Sequence, residues 1–245
     1  MTYTRTSAFA AVVLAISAAS PGTLFAQANN EPTIPVGWLT ANPTVVQPGV
    51  YPTLTWGITY PSIVQDYVDV DDNTVTPKES LICDIRVLGA GVTVANTNGS
   101  NMQFVPTRAE VKYDNGSYTQ IFYGKNTDVR PSSIVWTKTV AKDKKLRFGG
   151  KYYYNNQWGP YFTSQSGTKN VRTLVNGDVP PTTYPLHTAP TLESFIKPYL
   201  DASGKVKIGP MDVIVFMELT HTDAQITDQG YDLQDMVLLV TFRKP

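Results

Sequence analysis

MDVIVFMEL (residues 211–219) and MVLLVTF (residues 236–242) are the two most apolar runs in the chain beyond residue 28. Strands that are apolar on both faces are typical of the middle of a sheet, where other parts of the protein cover each face. Residues 220–235 form the connecting loop in this interpretation. We therefore predict that both runs are central strands of the core.

Strand-like segments continue through most of the remaining chain. The pair Asn115 and Gly116 predicts a hairpin, because both residue types tolerate the positive φ of a tight turn. About ten mostly antiparallel strands result, which predicts an all-β protein built as a β-sandwich or a jelly roll. Apolar or alternating runs occur at residues 81–96, 108–113, 118–124, 132–140, 145–155 and 170–177.

One short helix is expected near residues 191–200. Thr191 is a suitable N-cap, and Pro198 removes an intrahelical hydrogen bond, so the helix should span about two turns. Its apolar face would consist of Leu192, Phe195, Ile196 and Tyr199.

The segment of residues 42–60 has strand character. A "QPG" turn at residues 47–49 precedes "TLTW" at residues 53–56, where Leu54, Trp56 and Ile58 alternate with polar residues. This pattern, over about residues 42–60, resembles the opening strands of bacterial immunoglobulin-like surface modules. The segment lacks the cysteine pair of antibody domains, and the resemblance implies a sandwich and no particular function.

Residues 1–28 predict export. Arg5 precedes an apolar run from Ala8 to Ala19, and Ala26 and Ala28 flank Gln27, which is typical of a signal peptide cleaved after Ala28. The apolar run is well short of the roughly 20 residues that cross a bilayer, so we expect no membrane insertion. The mature residues 29–245 would form one β-sandwich domain, secreted or at the cell surface, with the periplasm and a subdivision near residue 100 left open.

Charge is unevenly distributed along a chain whose formal net charge is zero. Residues 29–85 carry one basic residue against seven acidic ones, and residues 86–172 carry thirteen basic residues against four acidic ones. Phosphate binding needs a basic field that nearby carboxylates do not oppose, so nucleic acid is not an expected partner. Opposed segments favour self-association if they stay apart in space, and cancel if they interleave.

A cluster of acidic and amide side chains raises the question of a calcium site. Its members have the oxygen ligands that calcium prefers. Asp69, Asp71 and Asn73 show the spacing of a calcium loop, but Thr74 and Pro77 break that pattern. Clustered carboxylates favour either a bound cation or full exposure to solvent, so a calcium site and a solvated loop both stay open. The candidate ligands are Asp66, Asp69, Asp71, Asp72 and Asn73.

Residues 151–162, KYYYNNQWGPYF, are rich in aromatic and amide side chains. Such residues bind sugars when the rings are exposed, because rings stack on pyranose faces and amides bond to hydroxyl groups. The same rings fill a core or a protein contact when they are buried. The candidate contacts for a glycan or a protein are Tyr153, Asn155, Trp158 and Tyr161.

Catalytic motifs are not apparent. The two histidines, His187 and His221, have no metal-ligand partner at short spacing, and no nucleophile or phosphate-binding motif occurs. Glu218 lies in an apolar run and is the best candidate for a buried acid, whose pKa burial would raise. We nonetheless expect it to be exposed at a strand end. We predict no enzymatic activity and no cofactor other than the calcium considered above.

The sequence therefore predicts a secreted, non-catalytic structural or adhesive protein, which assembles with itself or with other surface proteins into a fibre or layer. Residues 29–40, NNEPTIPVGWLT, would either pair with the open sheet edge of a neighbouring molecule or fold back on their own sheet. A carbohydrate-binding module is the alternative. A secreted glycoside hydrolase is the third, since only the spatial separation of carboxylates decides it.

Overall fold

The computed structural model describes residues 36–42, 53–59, 63–94, 103–181, 197–228 and 230–245. They contain one short helix, α1 (Val64–Tyr67), and three 3-10 turns at Asn126–Asp128, Lys197–Tyr199 and Asp223–Gln225. The strands are β1 (Val36–Asn42), β2 (Thr53–Thr59), β3 (Val68–Val70), β4 (Thr74–Pro77), β5 (Leu81–Gly89), β6 (Thr93–Val94), β7 (Gln103–Phe104), β8 (Thr107–Tyr113), β9 (Tyr118–Gly124), β10 (Ile134–Val140), β11 (Leu146–Tyr154), β12 (Gln157–Trp158), β13 (Phe162–Thr163), β14 (Val171–Val175), β15 (Asp212–Met217) and β16 (Met236–Arg243).

Two antiparallel sheets pack together, which confirms the predicted all-β sandwich. One sheet has five strands in the order β10-β5-β16-β15-β14. The other has the order β3-β4-β11-β8-β9, and the short strands β12 and β13 pair with the free side of β11. A shared core fills the space between them, and its fully buried members include Ile85 and Phe242 from the first sheet and Phe148 from the second.

The two apolar runs occupy the middle of the five-stranded sheet, as predicted. In β15, Val213 and Val215 contribute to the shared core, whereas Ile214 and Phe216 belong to a second apolar cluster on the opposite face. Residues of the segments 199–208 and 226–233 pack over that opposite face, among them the buried Tyr231. Both faces of these strands are therefore covered, which explains why their sequences do not alternate.

The predicted hairpin at Asn115 and Gly116 is confirmed. Strands β8 and β9 pair across it, with Lys112 opposite Tyr118, and the register shifts by a β-bulge between Ala109 and Glu110. The residue with positive φ is Asp114, at 53°, and the Gly116 N–H donates to the carbonyl oxygen of Tyr113 at 3.1 Å. The turn is thus longer than a two-residue loop.

The N-terminal strands form a separate two-stranded pairing. Strand β1 pairs with β2 from Val36 opposite Thr59 to Asn42 opposite Thr53. The described part of residues 29–40 therefore pairs within its own chain. The rest of that segment, most of the expected helix at residues 191–200, and the leader lie outside the described residues. Among the described residues, no helix is long and apolar enough to span a membrane.

Candidate functional site

The seven-stranded sheet has an outer face turned away from the core, and strand register determines which side chains lie on it. Leu146 and Phe148 of β11 point into the core, so the intervening residues of that strand point outward. Lys151 of β11 lies opposite Arg108 of β8, which in turn lies opposite Tyr123 of β9. Directly opposed residues share a face, so these three side chains are neighbours on the outer face.

A tight hairpin adds the aromatic side chains of β12 to this surface. Asn155 and Asn156 connect β11 to β12, and both adopt left-handed conformations, with φ of 49° and 60°. Positive φ at both positions defines the two-residue turn that suits the twist of paired strands, and asparagine tolerates it. The turn places Trp158 opposite Tyr153. Asn155, predicted as a ligand contact, is thus an exposed turn residue at the tip of this hairpin.

The exposed rings contact one another. The Trp158 ring centroid lies 5.1 Å from that of Tyr153 and 5.8 Å from that of Tyr123, and Tyr161 meets Tyr118 edge-on at 5.9 Å. Trp158 and Tyr161 are 42% and 41% exposed. The structure therefore places these two side chains on the surface and not in the core. We call Tyr118, Tyr123, Tyr153, Trp158 and Tyr161 the aromatic face.

Cationic side chains lie among these rings. The Lys151 ammonium lies 4.5 Å from the Trp158 ring centroid and 5.3 Å from that of Tyr161. Arg108 lies over Trp158 at 5.9 Å, and Lys112 lies over Tyr118 at 5.6 Å. Cations above ring faces are attracted by the negative π surface, so these contacts fix the cations close to the rings.

Tyr161 is anchored by a buried carboxylate. Glu110 is almost fully buried, forms an ion pair with Arg108 and accepts a hydrogen bond from the Tyr161 hydroxyl. Burial, and then the hydrogen bond and negative charge of Glu110, raise the pKa of Tyr161 well above its ordinary value. The hydroxyl therefore remains a donor, and it holds the ring in place against Tyr118.

A second candidate site is a group of three acids at one end of the five-stranded sheet. Carboxylate oxygens of Glu218, Asp232 and Asp235 lie within 4.8 Å of one another, and we call these residues the acid cluster. Glu218 accepts hydrogen bonds from the N–H groups of Thr220 at 3.0 Å and Asp232 at 3.1 Å. Asp235 accepts them from Leu219 at 2.7 Å and Thr220 at 3.1 Å. The cluster therefore fixes the loop between β15 and β16.

The environment of the acid cluster favours bound protons. Burial, together with the Glu218 carboxylate, raises the pKa of Asp232 to about 6. Burial, followed by the charges of Glu218 and Asp232, raises the pKa of Asp235 as well. The nearest base is His221, whose Nδ1 lies 3.5 Å from Glu218 and whose Nε2 lies 3.6 Å from Asp228. Asp232 and Asp235 can thus keep their protons at a higher pH than ordinary aspartates do, and the oxygen atoms of the cluster are of the type that hard cations prefer.

Sequence reasoning identified only one member of the acid cluster, and placed it wrongly. Glu218 was expected to be exposed at a strand end, but its exposure is 0%, because the loop of residues 219–235 folds over that end. Asp232 and Asp235 were missed. The signal was an acid directly after one central strand, Glu218, and an acid directly before the next, Asp235, with Asp232 three residues earlier. Antiparallel pairing brings those strand ends together.

The candidate calcium ligands lie in three adjacent elements: Asp66 in α1, Asp69 in β3, and Asp71, Asp72 and Asn73 in the turn between β3 and β4. Asp69 forms an ion pair with Lys78 at 3.1 Å, and Asp72 forms one with Arg172 of β14 at 3.1 Å. Asp66 and Asp71 are exposed, and Asn73 accepts a hydrogen bond from the neighbouring Thr74 hydroxyl. In the described part of the chain, the acid cluster is the one group of three or more potential ligands within 4.8 Å. Calcium binding by residues 66–73 stays a prediction.

Backbone contacts give this acidic turn a structural role. The carbonyl oxygens of Asp71 and Asp72 accept hydrogen bonds from the hydroxyl and the N–H group of Thr173 in β14. The turn therefore joins the outer strands of the seven-stranded sheet to the edge of the five-stranded sheet. Asp69 and Asp71, with Lys78 and Lys145, also line a polar depression of about 530 Å³.

Comparison with known proteins finds no match: no family profile, no curated protein and no solved structure is significantly similar to the chain. Arguments about function therefore rest on the geometry of the aromatic face and of the acid cluster.

Proposed function

We propose that the protein is a non-catalytic, exported adhesive protein that attaches to a polysaccharide through the aromatic face. The observation that carries this proposal is the joint exposure of Trp158, Tyr161 and Tyr123 on one face of a sheet. Exposed aromatic clusters are unusual on monomeric proteins and mark contact surfaces. Rings of tryptophan and tyrosine offer apolar faces for the C–H groups of a sugar and polar edges for its hydroxyl groups.

The scaffold supports binding because it is ordered in advance. Trp158 packs on Tyr153 in a hairpin with a tight turn, and Tyr161 is anchored by Glu110. Ligand binding then requires little additional ordering of side chains, which is one of the free-energy costs that oppose association. A rigid, open surface that holds its rings in place suits an extended chain of sugar units better than a small molecule that must be enclosed.

Replacing Trp158 with alanine should lower the affinity for a soluble oligosaccharide at least about tenfold, as is typical of an aromatic side chain at the centre of a contact. Binding would first be found by co-sedimentation with insoluble polysaccharides and then measured by calorimetry with a monovalent fragment. The matched control is Trp56→Ala, since Trp56 is 69% exposed on the β1–β2 hairpin. Equal affinity of wild type and Trp158→Ala would contradict the proposal.

A second candidate function, self-assembly into a fibre or layer, is favoured by a different observation. Leu39 and Trp56 lie directly opposite each other in the β1–β2 hairpin and are 67% and 69% exposed. A two-stranded hairpin is marginally stable alone, and an exposed pair of large apolar side chains gains by contact with another surface.

The double variant Leu39→Ser/Trp56→Ser should shift any assembled species towards monomer. We expect this because the substitutions remove the apolar surface that would be buried between copies. Sedimentation velocity and electron microscopy over a range of protein and salt concentrations would measure it. Wild type that remains monomeric throughout would refute self-assembly and leave polysaccharide binding unaffected.

A further inference from the structure

The outer face of the seven-stranded sheet carries an excess of positive charge. Strand register places Arg108, Lys112, Arg147 and Lys151 on this face, with Glu110 between them. Glu110 is buried and already neutralised by its ion pair with Arg108. Lys112 and Lys151 lie next to rings of the aromatic face, whereas Arg147 donates to the Asp114 carbonyl oxygen at 3.1 Å. The aromatic face is therefore also an electropositive face.

Two of these cations have no carboxylate partner among the described residues. Within the described residues, neither Lys151 nor Lys112 forms an ion pair; Lys112 donates instead to the Gln165 amide oxygen at 3.0 Å. Lys151 is half-buried between the Trp158 and Tyr161 rings. Apolar surroundings weaken screening by water and so increase the attraction of this ammonium for an anion.

We infer that the polysaccharide bound by the aromatic face is anionic, with carboxylate or sulfate groups on its sugar units. This inference rests on the proposed function. A sugar unit that stacks on Trp158 or Tyr161 lies within reach of the Lys151 ammonium, and an anionic substituent supplies the counterion that the described residues do not. The pairing of apolar sugar faces with aromatic rings, and of acidic groups with Lys151, defines the chemistry of the ligand.

Single-stranded nucleic acid also combines stacking bases with negative charge, but it fits the molecule less well. The formal net charge of the chain is zero, and strong phosphate binding draws on a basic field that extends over many contacts. Here the cations on the outer face of the seven-stranded sheet are four residues of two strands, Arg108 and Lys112 of β8 and Arg147 and Lys151 of β11. Short acidic sugars need only a few local cations, so the geometry favours them over a polynucleotide.

The test compares ligands that differ only in charge. Oligogalacturonate and its methyl ester share one backbone, as do chondroitin sulfate and desulfated chondroitin, and cello-oligosaccharide and oligo-dT complete the panel. We expect at least one acidic glycan to bind at least about tenfold more tightly than its neutral counterpart, because a charge-assisted contact contributes about that factor. Affinity should fall as salt is raised from 50 to about 300 mM.

Variants assign the effect to Lys151. Lys151→Gln should lower affinity for the acidic glycan roughly tenfold and should lower affinity for its neutral counterpart much less, because only the acidic glycan loses a charge-assisted contact. Lys151→Arg should retain binding of the acidic glycan. Lys207→Gln is the control, since Lys207 is exposed beside the five-stranded sheet. Thermal midpoints would show that each variant is folded, and Lys112→Gln provides a second substitution if Lys151→Gln is not.

The outcomes separate the inference from the proposed function. Equal or tighter binding of neutral glycans, lost in Trp158→Ala but not in Lys151→Gln, would refute the anionic ligand and support the adhesive function. Binding of none of the glycans would refute both. Tighter binding of oligo-dT than of every acidic glycan would refute the anionic polysaccharide and indicate that the ligand is a nucleic acid.

Discussion

Replacing Phe148 with alanine is expected to lower the free energy of unfolding by about 3–5 kcal/mol, the usual cost of removing a large aromatic side chain from a core. Phe148 is fully buried in β11 and faces the core shared by the two sheets. Its N–H group also donates to the Ser164 hydroxyl at 2.9 Å, so the surrounding backbone is fixed and collapses poorly around the cavity. Urea unfolding followed by tryptophan fluorescence would measure the change.

The control for this substitution lies on the same strand. Tyr154 ends β11 and is exposed, so Tyr154→Ala should change the free energy of unfolding by no more than about 0.5 kcal/mol. A loss of less than about 1 kcal/mol in Phe148→Ala would be inconsistent with a core shared between the sheets. Phe148 faces the core, whereas Lys151 and Tyr153 lie on the outer face of the same strand. The Phe148 variant should therefore weaken ligand binding only under conditions in which it unfolds the protein.

The second large effect is a decrease in the free energy of unfolding as the pH rises from about 4 to about 6.5. Asp232 has an ordinary pKa of 3.8 that burial raises to about 6 in the folded protein. A carboxyl group with a raised folded-state pKa stabilises the fold fully below its unfolded-state pKa. That contribution is lost as the pH rises through the folded-state value. At 1.36 kcal/mol per pKa unit, the loss from Asp232 is about 3 kcal/mol.

Substitution of Asp232 would show whether the acid cluster causes this dependence. Asp232→Asn keeps an oxygen acceptor for the Gln234 N–H group, 3.0 Å away, but it cannot ionise, so the stability of this variant should vary less between pH 4 and 6.5. Asp66→Asn, at an exposed acid on α1, is the matched control. Urea unfolding at a series of pH values gives the slopes, and identical slopes for wild type and Asp232→Asn would remove the acid cluster as the cause.

Much of the fold was predictable because the pattern of apolar residues along a strand reflects which of its faces are buried. The continuous apolar runs of β15 and β16 reflect covering on both faces, and the Asn115–Gly116 turn marked the β8–β9 hairpin correctly. Asn155 was interpreted as a contact for a glycan or a protein, although the two consecutive asparagines at residues 155 and 156, between aromatic strands, are also a turn signal. The positive φ of both residues shows that the turn is what this pair encodes.

The candidate sites were only partly predictable, since they depend on register between distant segments. Residues 153–161 were recognised as a candidate contact from their composition. The neighbouring side chains on the outer face come from β8 and β9, and no local sequence signal links them to Trp158. They are Arg108, Lys112 and Tyr123. The acid cluster has the same origin, because Glu218 and Asp235 meet only when β15 and β16 pair.

The chain segments that cover the five-stranded sheet make the molecule two-sided. On one side, Tyr231, Leu233 and the residues that pack with them cover the outer face of the five-stranded sheet. On the other side, the rings of Trp158, Tyr161 and Tyr123 are exposed to solvent. A protein bound to a polymer through the aromatic face would therefore expose on its opposite side a surface whose apolar side chains are already covered. Such a molecule would bind polymer on one side only, so bound copies would form a single layer along it.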